Sequence, residues 1–90
     1  MRLAKRFFIS GRVQGVGFRY FVYEAALREG VYGYVRNLHD GRVEALVEGD
    51  AAAVTRIEQK IRMGPPSARV EKVHVEDEEY SGAYNGFSTR

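Results

Sequence analysis

At Gly15-Val16-Gly17 the hydrophobic period of this chain changes from two to 3.6, and that joint constrains every fold open to it. Before the joint, residues 5–13 alternate: Phe7, Ile9 and Val13 face one way, while Arg6, Ser10 and Arg12, with Phe8 among them, face the other. That is the pattern of a strand. After the joint, Phe18, Phe21, Val22, Ala25 and Ala26 fall at i, i+3, i+4, i+7 and i+8, one face of a helix that Gly30 stops. Val31, Gly33 and Val35 alternate with Tyr32, Tyr34 and Arg36 in a second strand, and Asp40-Gly41 signals a hairpin. Val43, Ala45 and Val47, alternating with Glu44 and Glu48, give a third strand. Asp50 caps a second helix with inner face Val54, Ile57 and Ile61, ended by Gly64-Pro65-Pro66. Val70, Val73 and Val75 mark a fourth strand, with a bulge or late start implied by the uneven spacing. Phe87 anchors a short final strand.

The order β-α-β-β-α-β predicts an α+β, ferredoxin-like split βαβ sandwich: antiparallel strands in the order 4-1-3-2, with both helices on one face. Ninety residues are expected to form one domain, 1–90, because a second core would leave both too small. In that topology the first and second strands run parallel with the third between them. Two strand spacings, roughly 10 Å, then separate residues just after the first strand from those ending the second. Arg19 and Asn37 occupy those positions.

Other features exclude function classes. The chain has no cysteine, hence no disulfide, thiolate nucleophile or cysteine metal site. His39 and His74 stand far apart, so no metal and no cofactor is expected. No run approaches the roughly 20 apolar residues of a membrane span, and the basic start lacks a signal peptide's apolar stretch. A cytoplasmic monomer without membrane contact is expected. Net charge is +2, but residues 1–36 carry seven Lys/Arg against two Glu, and residues 37–90 seven against ten acidic groups. The first third suits a small anion, whereas a nucleic-acid partner calls for a larger basic excess.

Gly11-Arg12-Val13-Gln14-Gly15-Val16-Gly17-Phe18-Arg19 leaves two readings open. It is a Gly-rich connection with a surface arginine, or it is an anion loop. In the second reading, bare N–H groups opening a helix cradle a phosphate and Arg19 forks onto it. Neither GxxxxGK[ST] nor GxGxxG is present. An RNA-recognition module shares the element order, and Gly15–Phe21 faintly echoes its aromatic motif. That motif belongs on a central strand, whereas Phe18 and Phe21 fall on a helical face and the third strand lacks an aromatic. Asn37 by itself reads as a turn residue beside Asp40-Gly41.

Taken together, Gly11–Arg19 and Gly33-Tyr34-Val35-Arg36-Asn37 resemble the two signature segments of the acylphosphatases. Gly64-Pro65-Pro66-Ser67-Ala68 resembles the family's turn after its second helix, and Phe87-Ser88-Thr89-Arg90 its closing strand. Two departures are visible: Tyr34 replaces a tryptophan and Thr89 an aliphatic residue. The resemblance implies hydrolysis of small acyl phosphates without a metal. Arg19 matches the phosphate-binding arginine, Asn37 the asparagine that orients the attacking water, and Gln14, Gly15, Val16, Gly17, Phe18 and Arg19 the substrate-binding loop. A similar domain begins the larger hydrogenase-maturation carbamoyltransferases, which keeps that context as an alternative. His39 is expected to be an exposed hairpin residue, Glu76–Glu79 a solvated loop, and Tyr20 the one tyrosine near the pocket.

Overall fold

The computed structural model describes all 90 residues. Strand β1 (Arg2–Arg12) leads into helix α1 (Phe18–Glu29), then β2 (Tyr32–Asn37), β3 (Val43–Asp50), α2 (Ala51–Met63), β4 (Arg69–Glu78) and β5 (Phe87–Thr89). The sheet order is β4-β1-β3-β2-β5. The four strands expected in the order 4-1-3-2 are antiparallel neighbours, and β5 adds a fifth, parallel to β2. This fifth strand makes the sheet mixed. It forms because the outer edge of β2 offers unpaired backbone groups, which the Gly86 carbonyl and the Arg90 N–H bind at either end.

Local signals act where the sequence places them. Gly30 closes α1 in the left-handed region at φ 67°, its N–H donating to the Ala26 and Leu27 carbonyls. The Asp50 carboxylate caps α2 by accepting from the Ala52 N–H at 3.2 Å. The β1–β4 register shifts between Ser10 and Gly11, which pair with Lys72 and Val70, so Glu71 is the extra residue of a bulge. Period-two residues of the sheet and both helix faces meet in one core that contains Phe7, Ile9, Val35, Val47, Ile57 and Ile61. Both helices therefore cover the same face.

The opposite face of the sheet also buries charge. Glu44 and Glu48 are each only 2% exposed. Glu44 accepts from the guanidiniums of Arg6 and Arg36. Glu48 accepts from the Ser81 N–H and hydroxyl at 2.9 and 2.8 Å and from the Gly82 N–H at 3.2 Å, so the segment after β4 folds over it. Burial pushes the Glu44 pKa up, but the hydrogen bonds from Arg36 and Arg6 outweigh it and hold the carboxyl below its ordinary value. A buried charge is tolerable only when paired in this way. The acidic run is not a loop: Glu76, Asp77 and Glu78 belong to β4, an edge strand, where charges discourage pairing with another sheet. Glu78 also accepts from Arg6 at 3.3 Å.

Candidate active site

The joint at Gly15-Val16-Gly17 is an uncapped helix start. Gly15 and Gly17 adopt φ 73° and 78°, a left-handed conformation that side chains other than glycine's enter with strain. Gly17 precedes α1 and offers no capping side chain, and the first turn has no acidic residue. Its carbonyl accepts from the Phe21 N–H at 3.0 Å, which starts the helix. The amides ahead of that bond point outward at the positive end of the helix dipole. At both glycines a Cβ would meet nothing within 4 Å, so the loop backbone stays open to a ligand.

Two side chains hold the loop in place. The Gln14 carboxamide donates both its protons, to the Leu38 carbonyl at 2.8 Å and the Arg42 carbonyl at 2.9 Å. The Ser67 hydroxyl, from the turn after α2, donates to the Val16 carbonyl at 2.8 Å. Gln14 was expected among the substrate-binding residues; with both side-chain donors engaged, it retains only its backbone N–H to offer an anion. Val16 likewise presents backbone alone, since its side chain packs against the core.

Arg19 and Asn37 line one pocket of about 280 Å³. Gly15 and Gly17 form its loop side, the buried Val13 and Phe18 its floor, and Tyr20 and Thr89 its remaining walls. The fold brings them together because β1 and β2 end at the same sheet margin. Asn37, the last residue of β2, pairs with Val43, and its alternation with the buried Val35 sets it on the helix-covered face. Arg19 is held by the Arg90 main-chain oxygen, to which its Nη1 donates at 3.0 Å. The Arg90 N–H in turn donates to the Val35 carbonyl at 2.9 Å, so β5 links the arginine to the strand that carries Asn37. The rest of the Arg19 guanidinium stays free for a ligand.

Sequence reasoning missed what β5 contributes. Thr89 enters the pocket wall because the parallel register pairs it with Val35 and so turns both to the same face. The Arg90 guanidinium lies 4.0 Å from the centroid of Tyr34, whose hydroxyl accepts from Arg6 at 2.9 Å. No local pattern announces contacts made across 28 or more positions. His39 is exposed in the hairpin and, with Asn37, lines a separate shallow pocket. Phe18 is buried and Phe21 packs at the core edge, so neither is displayed on the sheet as a base-stacking surface. No three His, Cys, Asp or Glu side chains converge on a common point. No helix is long and apolar enough to cross a membrane.

The acylphosphatase family model matches residues 5–89. An acylphosphatase of Rubrobacter xylanophilus is 55% identical over 85 residues, covering 94% of this chain and 77% of its own length. The crystal structure of the acylphosphatase from Bacillus subtilis superposes with a TM-score of 0.93 at 38% identity, covering 98% of each chain. Full-length HypF in its phosphate- and nucleotide-bound form also superposes, at TM-score 0.86 and 27% identity, with this chain spanning 12% of its length. Agreement that runs from the first strand through the last, in sequence and backbone alike, establishes descent: the chain belongs to the acylphosphatase family.

Proposed function

We propose that this chain hydrolyses acyl phosphates, with the phosphoryl group held by the backbone of Gly15–Arg19 and the Arg19 guanidinium, and the attacking water oriented by Asn37. The reading is carried by the single pocket that Arg19, Asn37 and the uncapped loop share. Family membership supplies the reaction class.

The chemistry suits so spare a site. Water attacks phosphorus, the bond from phosphorus to the acyl oxygen breaks, and a carboxylate leaves that needs no proton. Negative charge on the equatorial phosphoryl oxygens is met by amide N–H groups and a forked guanidinium. Asn37 cannot take a proton at neutral pH, so its carboxamide positions the water while the proton passes to a phosphoryl oxygen of the substrate. The product is a carboxylate and inorganic phosphate.

Asn37→Ala separates positioning from binding. Turnover of acetyl phosphate is expected to fall by about 10²-fold or more, the scale of a misplaced reactant. Competitive inhibition by inorganic phosphate is expected to stay within about twofold of wild type, since the charged contacts remain. Unchanged turnover in the folded variant removes Asn37 from the mechanism.

A further inference from the structure

A second cleft, of about 290 Å³, adjoins the active-site pocket along the seam between α1 and the end of α2. Gly17 and Tyr20 line both, so the two are continuous. Beyond them Phe21, Ala25 and Pro65 form an apolar lining, and the exposed Arg28 and Lys60 stand at the rim with Glu24.

Helix geometry decides on which side of phosphorus this cleft lies. Successive side chains of a helix turn by about 100°. Phe18, Val22 and Ala26 are buried toward the sheet. Arg19 therefore stands on the flank that meets Arg90 at the end of β5. Phe21, Ala25 and Arg28 stand on the opposite flank, against Lys60 of α2 and Pro65 of the turn after it, and Tyr20 projects outward, 66% exposed. Asn37 ends β2, the strand that β5 joins, so water is held on the sheet side of the phosphoryl group. In-line displacement sends the acyl oxygen out on the other side, away from the sheet. That path crosses the Tyr20 ring and enters the cleft.

The lining is apolar where the path enters, and the charges at its rim already have partners. Arg28 pairs with Glu24 at 3.8 Å. The Glu29 carboxyl is held below its ordinary value by the Arg56 hydrogen bond, with the Lys60 charge assisting. Neither rim cation calls for an anion on the ligand. Resting on the hydrolase reading above, we infer that this seam is the acyl subsite and favours acyl phosphates with an extended alkyl chain over short ones. Tyr20 is the specificity-determining residue, its ring bridging pocket and cleft. From Tyr20 to Arg28 the helix advances about 12 Å, a length that a hexanoyl chain fills in part and an acetyl group does not enter.

The test compares kcat/KM for hexanoyl and acetyl phosphate, whose carboxylates leave equally well, by phosphate release corrected for spontaneous breakdown. In wild type the hexanoyl-to-acetyl ratio is expected to be about 10- to 30-fold, since each extra methylene gains roughly twofold when half covered. Tyr20→Ser removes the apolar bridge and should lower that ratio about 3- to 5-fold, whereas Tyr20→Phe should hold it within about twofold. Ala25→Leu fills the cleft and should lower it about fivefold; the exposed Tyr20 pair decides alone should this variant not fold. The inhibition constant of inorganic phosphate should move less than about twofold throughout. A wild-type ratio near one, or a ratio unmoved in Tyr20→Ser, overturns the assignment. So does adipoyl phosphate outrunning hexanoyl phosphate, which would make the cleft a site for an anionic tail. A dimer in light scattering that Ala25→Leu dissociates, with the ratio unchanged, overturns it in favour of an interface between copies. Wild-type protein inert toward acetyl and hexanoyl phosphate alike removes the hydrolase reading itself, a result separable from the others.

Discussion

Gln14→Ala tests whether the loop holds the hairpin or the substrate. The two donated bonds, at 2.8 and 2.9 Å, are neutral and partly buried, each contributing about 0.5–1.5 kcal/mol net. Their loss orphans neither carbonyl: the Arg42 oxygen still accepts from the Leu38 N–H at 2.8 Å, and the Leu38 oxygen from the Gly41 N–H at 3.3 Å. No desolvation penalty is therefore added, and a total of about 1–3 kcal/mol is expected. In a domain of this size that lowers Tm by about 5–20 °C. Asn37 immediately precedes Leu38, so the loosened turn is expected to reduce kcat severalfold while the phosphate inhibition constant moves less than about twofold. Thermal unfolding followed by circular dichroism, with steady-state kinetics on acetyl phosphate, reads both quantities. An unchanged Tm together with roughly tenfold weaker phosphate inhibition would refute this account and make the carboxamide a phosphate ligand.

Three further outcomes are expected. Arg19→Lys keeps the charge but loses the fork that serves Arg90 and the phosphoryl group together, so kcat/KM should fall about 10- to 100-fold; equal kcat/KM in phosphate-release kinetics contradicts that role. Glu44 is held below its ordinary pKa: burial raises it, and the bonds from Arg36 and Arg6 lower it further. A carboxyl depressed on folding stabilises fully above the unfolded value of about 4.3 and loses that contribution as pH falls through the depressed one. Stability measured by denaturant titration should therefore drop on acidification below about pH 4, and Glu44→Gln should flatten that drop while costing about 1–2 kcal/mol at pH 7, a figure kept small because Arg6 and Arg36 are partly solvated. Turnover should survive exhaustive chelation, and a loss restored by a divalent cation would overturn the metal-free chemistry.

What the sequence revealed follows from how locally each feature is encoded. The change of period at Gly15–Gly17, the Asp50 cap and the valine spacing that foretold the bulge at Glu71 depend on neighbours within a few residues. The meeting of Arg19 with Asn37 was legible because the connection rules leave few topologies for that element order. By contrast, the burial of Glu44 and Glu48 depends on Arg6, Ser81 and Gly82, more than 30 positions away along the chain. Alternation marks two faces of a strand but not which of them a distant segment will cover. For the same reason Gln14 read as part of an anion loop, since its partners become visible only once the hairpin folds beside it.

The two carboxylates under the cover of the sheet also bear on how the chain finds its pairing. A strand slipped by one residue exchanges its faces. For β3, the middle strand, such an error would drive Glu44 and Glu48 into the space that Phe7, Ile9 and the helices fill, without any arginine to meet them. Misaligned pairings are thus heavily penalised as soon as the helices try to dock. The central strand proofreads its own alignment.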